Sequence, residues 1–491
     1  MSKQVFTARP SLRLAEPKPD KAVIALFRAI SPLYMRFVLH FGRIRLIDAE
    51  RAVEAFRDFQ EGRARLLVAF RHPYGDEPQL MAHMIAHSIP AAARRLGKPL
   101  PKPAHAAFVH GYEVPLWMGP FVRWLLPRSG ALPIHHVKLD SAGLARIRKA
   151  MKDGPYPLAL APEGQVSYSS ETLPRLESGF ANIAFWTAQD LEKEGRKERS
   201  LVLPVSVHYR YGKNAPKLLE KVLSLLEHEC GIPEQSGRPA VERLATAAEA
   251  IVTLAESFYA ELDRTPKAMP TPGPAPLQAP KQTLNERWAE VIQASLRAGE
   301  RALRLPDDGD VTHRFYRIRQ AGWDRLFRDD LGSDANNGAT TATQRPQKPP
   351  LFRAFADRAA GEAWYAMRHM ELADIGYYIY FDNKRETTAH SDAAPETPGS
   401  VSRIEPVIET ALNYWDLCSR LRGGNISDRL AFFRKDAYLV MGEPLDACQR
   451  LDEYHEDRKA AISALTADLA KSYQACIGEY LTVTGTEASR S

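Results

Sequence analysis

The chain has 491 residues, a formal charge of +6 from 66 basic and 60 acidic side chains, and four cysteines. Its length allows about three domain-equivalents, and its even charge argues against nucleic acid as a partner while suiting contact with an anionic membrane surface. Cys230, Cys418, Cys448 and Cys476 form no CxxC pair, so they read as free thiols in a reducing compartment rather than as a zinc site or a disulfide framework.

The opening residues MSKQVFTARPSLRLAEPKPDK lack the apolar core of a secretory signal, and no run of about 18 uncharged apolar residues marks a membrane-crossing helix. Next comes the apolar segment 23–42 (VIALFRAISPLYMRFVLHFG), which carries Arg28 and Arg36 and is interrupted by Pro32. Two readings fit it: an interfacial helix pair with aromatics at the acyl boundary, or a helix capping a soluble core. The first makes residues 1–45 a tail with amphipathic membrane-interface helices.

From 46 to 211 short apolar runs alternate with helical patterns, as in a largely parallel α/β sheet. Strands are predicted at 66–70, 106–110, 131–135, 157–161 and 201–207. Helices are predicted at 78–87, 115–126, 141–152 and 178–194, the third capped by Asp140 and stopped at Gly154. Beyond Tyr211, helical patterns at 217–229, 238–262, 284–305 and 313–331 are punctuated by low-complexity stretches at 265–282, 332–350 and 384–402. Residues 212–430 thus read as a largely helical insertion on disordered linkers. Within it, Arg314, Arg317, Arg319, Arg325 and Arg328 read as a solvated helix face. Strand character returns at 437–441, followed by GEPL, and a helix at 457–480 closes the core, which takes in 431–491. The expected fold is α/β, with a mostly parallel sheet flanked by helices, a largely helical insertion and an N-terminal amphipathic helical segment.

The stretch 66–79 (LLVAFRHPYGDEPQ) carries the chemistry. A buried strand ends in a polar turn before a helix, which is where α/β folds place their sites. His72 beside a carboxylate is a general-base arrangement: imidazole titrates near neutrality, and the acid fixes its tautomer. Asp76 and Glu77 are both in reach by sequence. The chain has no GxSxG elbow and no cysteine near this motif. Trp117, Phe121, Trp124 and Leu125 share a helical face that either packs in the core or meets lipid. His83 and His87 lie four apart with no third ligand in sequence, so no metal is expected.

Further stretches follow in order: Gly130–His136 (GALPIHH), Ala161–Ser167 (APEGQVS), a helix start at Gly179, Leu201–Val205 (LVLPV) and the terminal GEPL. With His72 they resemble the blocks of the glycerolipid acyltransferase family, which includes the lysophosphatidic acid acyltransferases. The resemblance covers roughly 50–210 and 430–480. It implies acyl transfer from acyl-CoA or acyl carrier protein to a hydroxyl of a lyso-glycerolipid, a 1-acylglycerol-3-phosphate-like acceptor, with His72 as base and Asp76 or Glu77 as its partner. Glu163, Gly164, Ser167 and His136, with Arg128 and Lys138, would serve the substrate. Neither a cofactor nor a metal is implied beyond the acyl donor. The expected location is the cytoplasmic side of a membrane, peripheral or monotopic, with the lipid surface as partner. This chain departs from the family pattern by placing Glu77 where aspartate is usual, with Asp76 one place early. His136 and Val166 stand where the family has phosphate-binding arginines. Valine donates no charge-assisted bond, so either another base such as Lys138 or Arg128 supplies the charge or the acceptor lacks a terminal phosphate. A non-catalytic lipid-binding scaffold and a thioesterase are the competing expectations.

Overall fold

The structure, a computed structural model, describes residues 7–11, 16–112, 114–135, 140–263, 282–333, 349–392, 403–424 and 429–488. The chain forms two compact units, Leu14–Ala215 with Ala431–Ser491, and Met1–Arg13 with Pro216–Leu430. In chain order come β1 (Arg9–Ser11), α1 (Lys21–Phe37), β2 (Phe41–Ile47), α2 (Ala49–Gln60) and β3 (Ala64–Phe70). Then α3 (Glu77–His83) passes through a π turn (Met84–Ser88) into α4 (Ile89–Arg95). After it lie β4 (Ala107–Gly111), α5 (Val114–Trp117), α6 (Gly119–Arg128), β5 (Leu132–Ile134), α7 (Ser141–Asp153), β6 (Leu158–Leu160), α8 (Gly179–Lys193) and β7 (Arg199–Tyr211). The middle of the chain holds α9 (Ala215–Glu229), α10 (Ala240–Asp263), α11 (Leu284–Leu303), α12 (Val311–Leu326), β8 (Phe327–Ser333), α13 (Pro350–Asp392) and α14 (Ile404–Leu421). The chain ends with β9 (Lys435–Met441), β10 (Leu445–Asp446), α15 (Leu451–Glu456) and α16 (Arg458–Ala488).

The first unit is α/β with a mostly parallel central sheet flanked by helices. Its strand order is β2-β9-β7-β3-β6-β4-β5, with β10 also on β7. Only the pairings of β7 with β9 and with β10 are antiparallel. Side chains of a strand alternate between faces, and β3 uses both. Leu66, Val68 and Phe70 enter the core shared with α2 and the α3–α4 helix, while Leu67 and Ala69 enter the core shared with α7, α8 and α16. Burial on both sides is what a near-continuous apolar run in a parallel sheet provides, at about 1.5–3 kcal/mol for each fully buried large aliphatic side chain.

Two differences from the sequence reading have local causes. The segment 23–42 is one helix followed by the start of β2, not a helix pair. Proline inside a helix strands the carbonyl four residues earlier. Here that carbonyl, of Arg28, accepts from His87 Nε2 at 2.9 Å, and Ser31 Oγ meets His83 Nδ1 at 3.0 Å, so the helix continues through Pro32. The helix predicted to end at His87 runs on to Arg95, widening into the π turn just before Pro90, where a regular turn would clash with the ring. Asp140 does cap α7, accepting from the Gly143 N–H at 2.7 Å.

In the second unit, α11, α12 and α13 share a core that includes Ile292, Leu296, Phe315, Ile318, Ala363 and Met367. Arg314, expected on a solvated face, is buried and pairs with Glu300 at 2.7 Å. The strand β8 replaces the last part of the helix predicted at 313–331. The stretch predicted as a linker at 384–402 begins as a continuation of α13, which runs to Asp392. Residues 393–402, 334–348 and 264–281 lie outside the described residues. All four cysteines are free, and the thiols of Cys230 and Cys418 hydrogen-bond each other despite their separation in sequence. No helix among the described residues is long and apolar enough to cross a membrane.

Candidate active site

His72 lies just past the carboxyl end of β3, and five residues on Glu77 opens α3. The intervening turn brings the imidazole Nδ1 to 2.7 Å from Glu77 Oε2. The Tyr74 N–H donates to the same oxygen at 3.0 Å, and the Tyr209 hydroxyl, from β7, donates to Oε1. Glu77 is fully buried and both of its oxygens are engaged. A carboxylate on Nδ1 selects the Nδ1–H tautomer and leaves Nε2 as the basic nitrogen. No described protein group bonds Nε2, and the His72 side chain keeps 19% of its surface exposed. The arrangement can take a proton at Nε2 and hold the resulting imidazolium against Glu77.

A second set of bonds fixes the backbone of His72. Glu163, two residues past the end of β6's apolar run, accepts the His72 N–H at 2.7 Å through Oε2. Its Oε1 accepts from Arg71 Nε at 2.8 Å, and both partners of this ion pair are fully buried. The remaining Arg71 donors reach the carbonyls of Ser170 (2.7 Å), Ser169 (3.0 Å) and Thr172 (2.6 Å). The Ser167 N–H donates to the His72 carbonyl at 2.9 Å. Gly164 makes the tight turn at φ 73, a conformation that costs glycine no Cβ clash. Tyr168 is buried with φ 60, which is unusual for so large a side chain and stores about 1–3 kcal/mol of backbone strain beside the site.

These contacts sort the expected site residues. Glu77, not Asp76, partners His72: the Asp76 carboxylate is taken by Lys435 Nζ at 2.6 Å. Glu163 and Ser167, expected to serve the substrate, are buried and bond the main chain of His72. Arg128 has its guanidinium over the Trp124 ring at 4.7 Å and donates to the Trp124 carbonyl. His136 and Lys138 lie outside the described residues. Arg71, Tyr74, Tyr209 and Lys435 were not singled out by sequence. The one available signal was the position of Arg71, a charge set between a fully apolar strand and the histidine.

Near the site, His83 and His87 stack at 4.8 Å on the helix that starts with Glu77. Among the described residues no group of three or more His, Cys, Asp or Glu side chains could hold a metal. Burial first, then the neighbouring His87, pushes the His83 imidazole down to about 4 from 6.5. Between those values the unfolded chain binds a proton that the folded protein refuses. Stability therefore falls as pH drops from about 6.5 to about 4. His83→Gln is expected to flatten that part of the profile, as read by urea midpoints at pH steps. An unchanged slope would remove His83 as its source.

No family model matches the chain, and no curated protein matches its sequence.

Proposed function

We propose that the protein is an acyltransferase of the glycerolipid type, moving a fatty acyl group from acyl-CoA or acyl carrier protein to a lipid hydroxyl. The observation that carries this reading is the His72–Glu77 pair with Nε2 open, held at the end of β3 by the Ala161–Ser167 loop. As the acceptor oxygen attacks the thioester carbonyl, His72 Nε2 takes the hydroxyl proton. The C–O bond forms, the C–S bond breaks, and the imidazolium returns the proton to the leaving thiolate. Val166, where the family motif has arginine, favours an acceptor without a terminal phosphate, such as a lyso-phospholipid with a larger headgroup or a lyso-aminolipid.

The finer architecture follows from the same reading: 212–430 is an insertion into the acyltransferase core, and α1 is an interfacial helix at the cytoplasmic face of a membrane. Leu33 and Phe37 on α1 are 62% and 68% exposed, and Leu26, Ile30 and Val38 are exposed with them. Phe121 and Trp124 of α6 are also exposed, and the rings of Phe27 and Phe121 lie 5.9 Å apart, joining the two helices' apolar surfaces. Exposed apolar area of this kind suits the headgroup–acyl boundary. The doubly substituted L33E/F37E chain is expected to bind anionic vesicles about tenfold or more weakly in flotation; undiminished binding would place the lipid contact elsewhere.

The deciding experiment incubates the full chain, in vesicles, with labelled acyl-CoA or acyl carrier protein and a panel of lyso-lipids. Labelled lipid product supports the proposal, and the preferred acceptor tests the argument from Val166. Free fatty acid without lipid product would make it a thioesterase. Neither product, with lipid still bound, would leave a non-catalytic scaffold.

A further inference from the structure

Behind Glu77 lies a closed box that the proton transfer itself does not use. Tyr209 is fully buried, and its ring stacks on that of Tyr74 with centroids 5.4 Å apart. Lys435 Nζ sits over three rings: Tyr209 at 4.7 Å, Phe41 at 5.0 Å and Tyr74 at 5.9 Å. Asp76 neutralises the ammonium on its other side. Burial, then the Glu77 carboxylate, raises the Tyr209 phenol well above its ordinary value, so it keeps its proton and acts on Glu77 only as a donor. A cation over the ring withdraws electron density and makes the O–H a better donor.

We propose that Tyr209 is a positioning residue for His72, acting through its hydroxyl bond to Glu77 Oε1, and that Lys435 tunes that bond. Because this rests on His72 being the general base, the tests separate the two ideas. The Tyr209 bond fixes the Glu77 carboxylate with Oε2 aimed at Nδ1, and it adds a third donor to those of His72 and Tyr74. Without it the carboxylate swings more freely and holds the imidazolium more strongly. Asp76, Lys435, Tyr209, Tyr74, Glu163 and Arg71 are the titratable and charged groups around the pair, with Tyr34 facing Asp76.

In the full chain, Tyr209→Phe is expected to lower kcat about tenfold with KM changed less than about twofold, and to move the acid limb of the rate profile to higher pH. Lys435→Met, which keeps length and removes charge, shifts both in the same direction by less. Independently of turnover, the low-field proton resonance of the His72 Nδ1–H, assigned by its loss in His72→Ala, moves in both variants. A kcat, pH profile and resonance like wild type in Tyr209→Phe would overturn the proposal. Full activity in His72→Ala would instead overturn the general-base reading, and the resonance alone would then decide the role of Tyr209.

Discussion

If the proposed reaction holds, His72→Ala is expected to lower acyl transfer by about a thousandfold, because its imidazole would be the base. Glu77→Gln tests the same unit from behind. The amide keeps the shape of the carboxylate but has no charge to set against the imidazolium, and its N–H₂ must replace one of the two oxygens, Oε2 or Oε1, to which Tyr74 N–H and Tyr209 O–H donate. Loss of about a hundredfold or more follows. Asp76→Asn, by contrast, breaks only the pair with Lys435, and a fall within about fivefold is expected from the looser aromatic box. Initial rates with the best acceptor, alongside circular dichroism of each variant, check the series. A Glu77→Gln rate equal to that of the wild type would show that the imidazole works alone.

The largest loss of stability is expected at Arg71. Arg71→Met leaves the Glu163 carboxylate buried without its ion partner and the carbonyls of Ser169, Ser170 and Thr172 without their donors. Breaking a buried pair by removing one member costs about 3–5 kcal/mol, which is a large part of the net stability of an ordinary domain. The double substitution R71M/E163L removes the stranded charge and should recover part of the loss, although His72 N–H then lacks its acceptor. Urea unfolding followed by fluorescence reads both. Equal midpoints for the wild type and Arg71→Met would mean that the loop 161–172 is held by other contacts.

The physical reason that much of the α/β unit was legible is burial on both sides of its sheet. Runs such as Leu66–Phe70 have one dominant reading, and the turn after them sets His72 with Asp76 and Glu77 both in reach, so spacing alone does not choose between the two carboxylates. The edge strand β2 was hidden because Arg43 and Arg45 alternate with its apolar residues and the preceding helix is equally apolar. Pro32 reads as an interruption in sequence, whereas His87 satisfies the carbonyl it strands; the helix predicted at 78–87 runs on because a π turn accommodates Pro90. The other half of the site was illegible because its contacts are non-local. Tyr209 reaches Glu77 across 132 positions and Lys435 reaches Asp76 across 359, and no local pattern marks either residue. Arg71 failed a different test, since a lone arginine carries no periodic signal of being buried.

The pairing of β7 with β9 has a consequence for the order in which the molecule is made. Tyr211 and Lys435 stand directly opposite each other, so the chain leaves the sheet and re-enters it at one rung. Closing that rung brings together residues separated by roughly 220 positions, an entropic cost that grows only slowly with length but must be met late. During synthesis, which proceeds from the N-terminus, β3, β6 and β7 emerge with His72, Glu77, Glu163 and Tyr209 long before Lys435 does. A nascent chain therefore holds the histidine and its carboxylate while one wall of the aromatic box is still unmade. The ribosome must deliver almost the whole polypeptide before the ammonium can cover Tyr209.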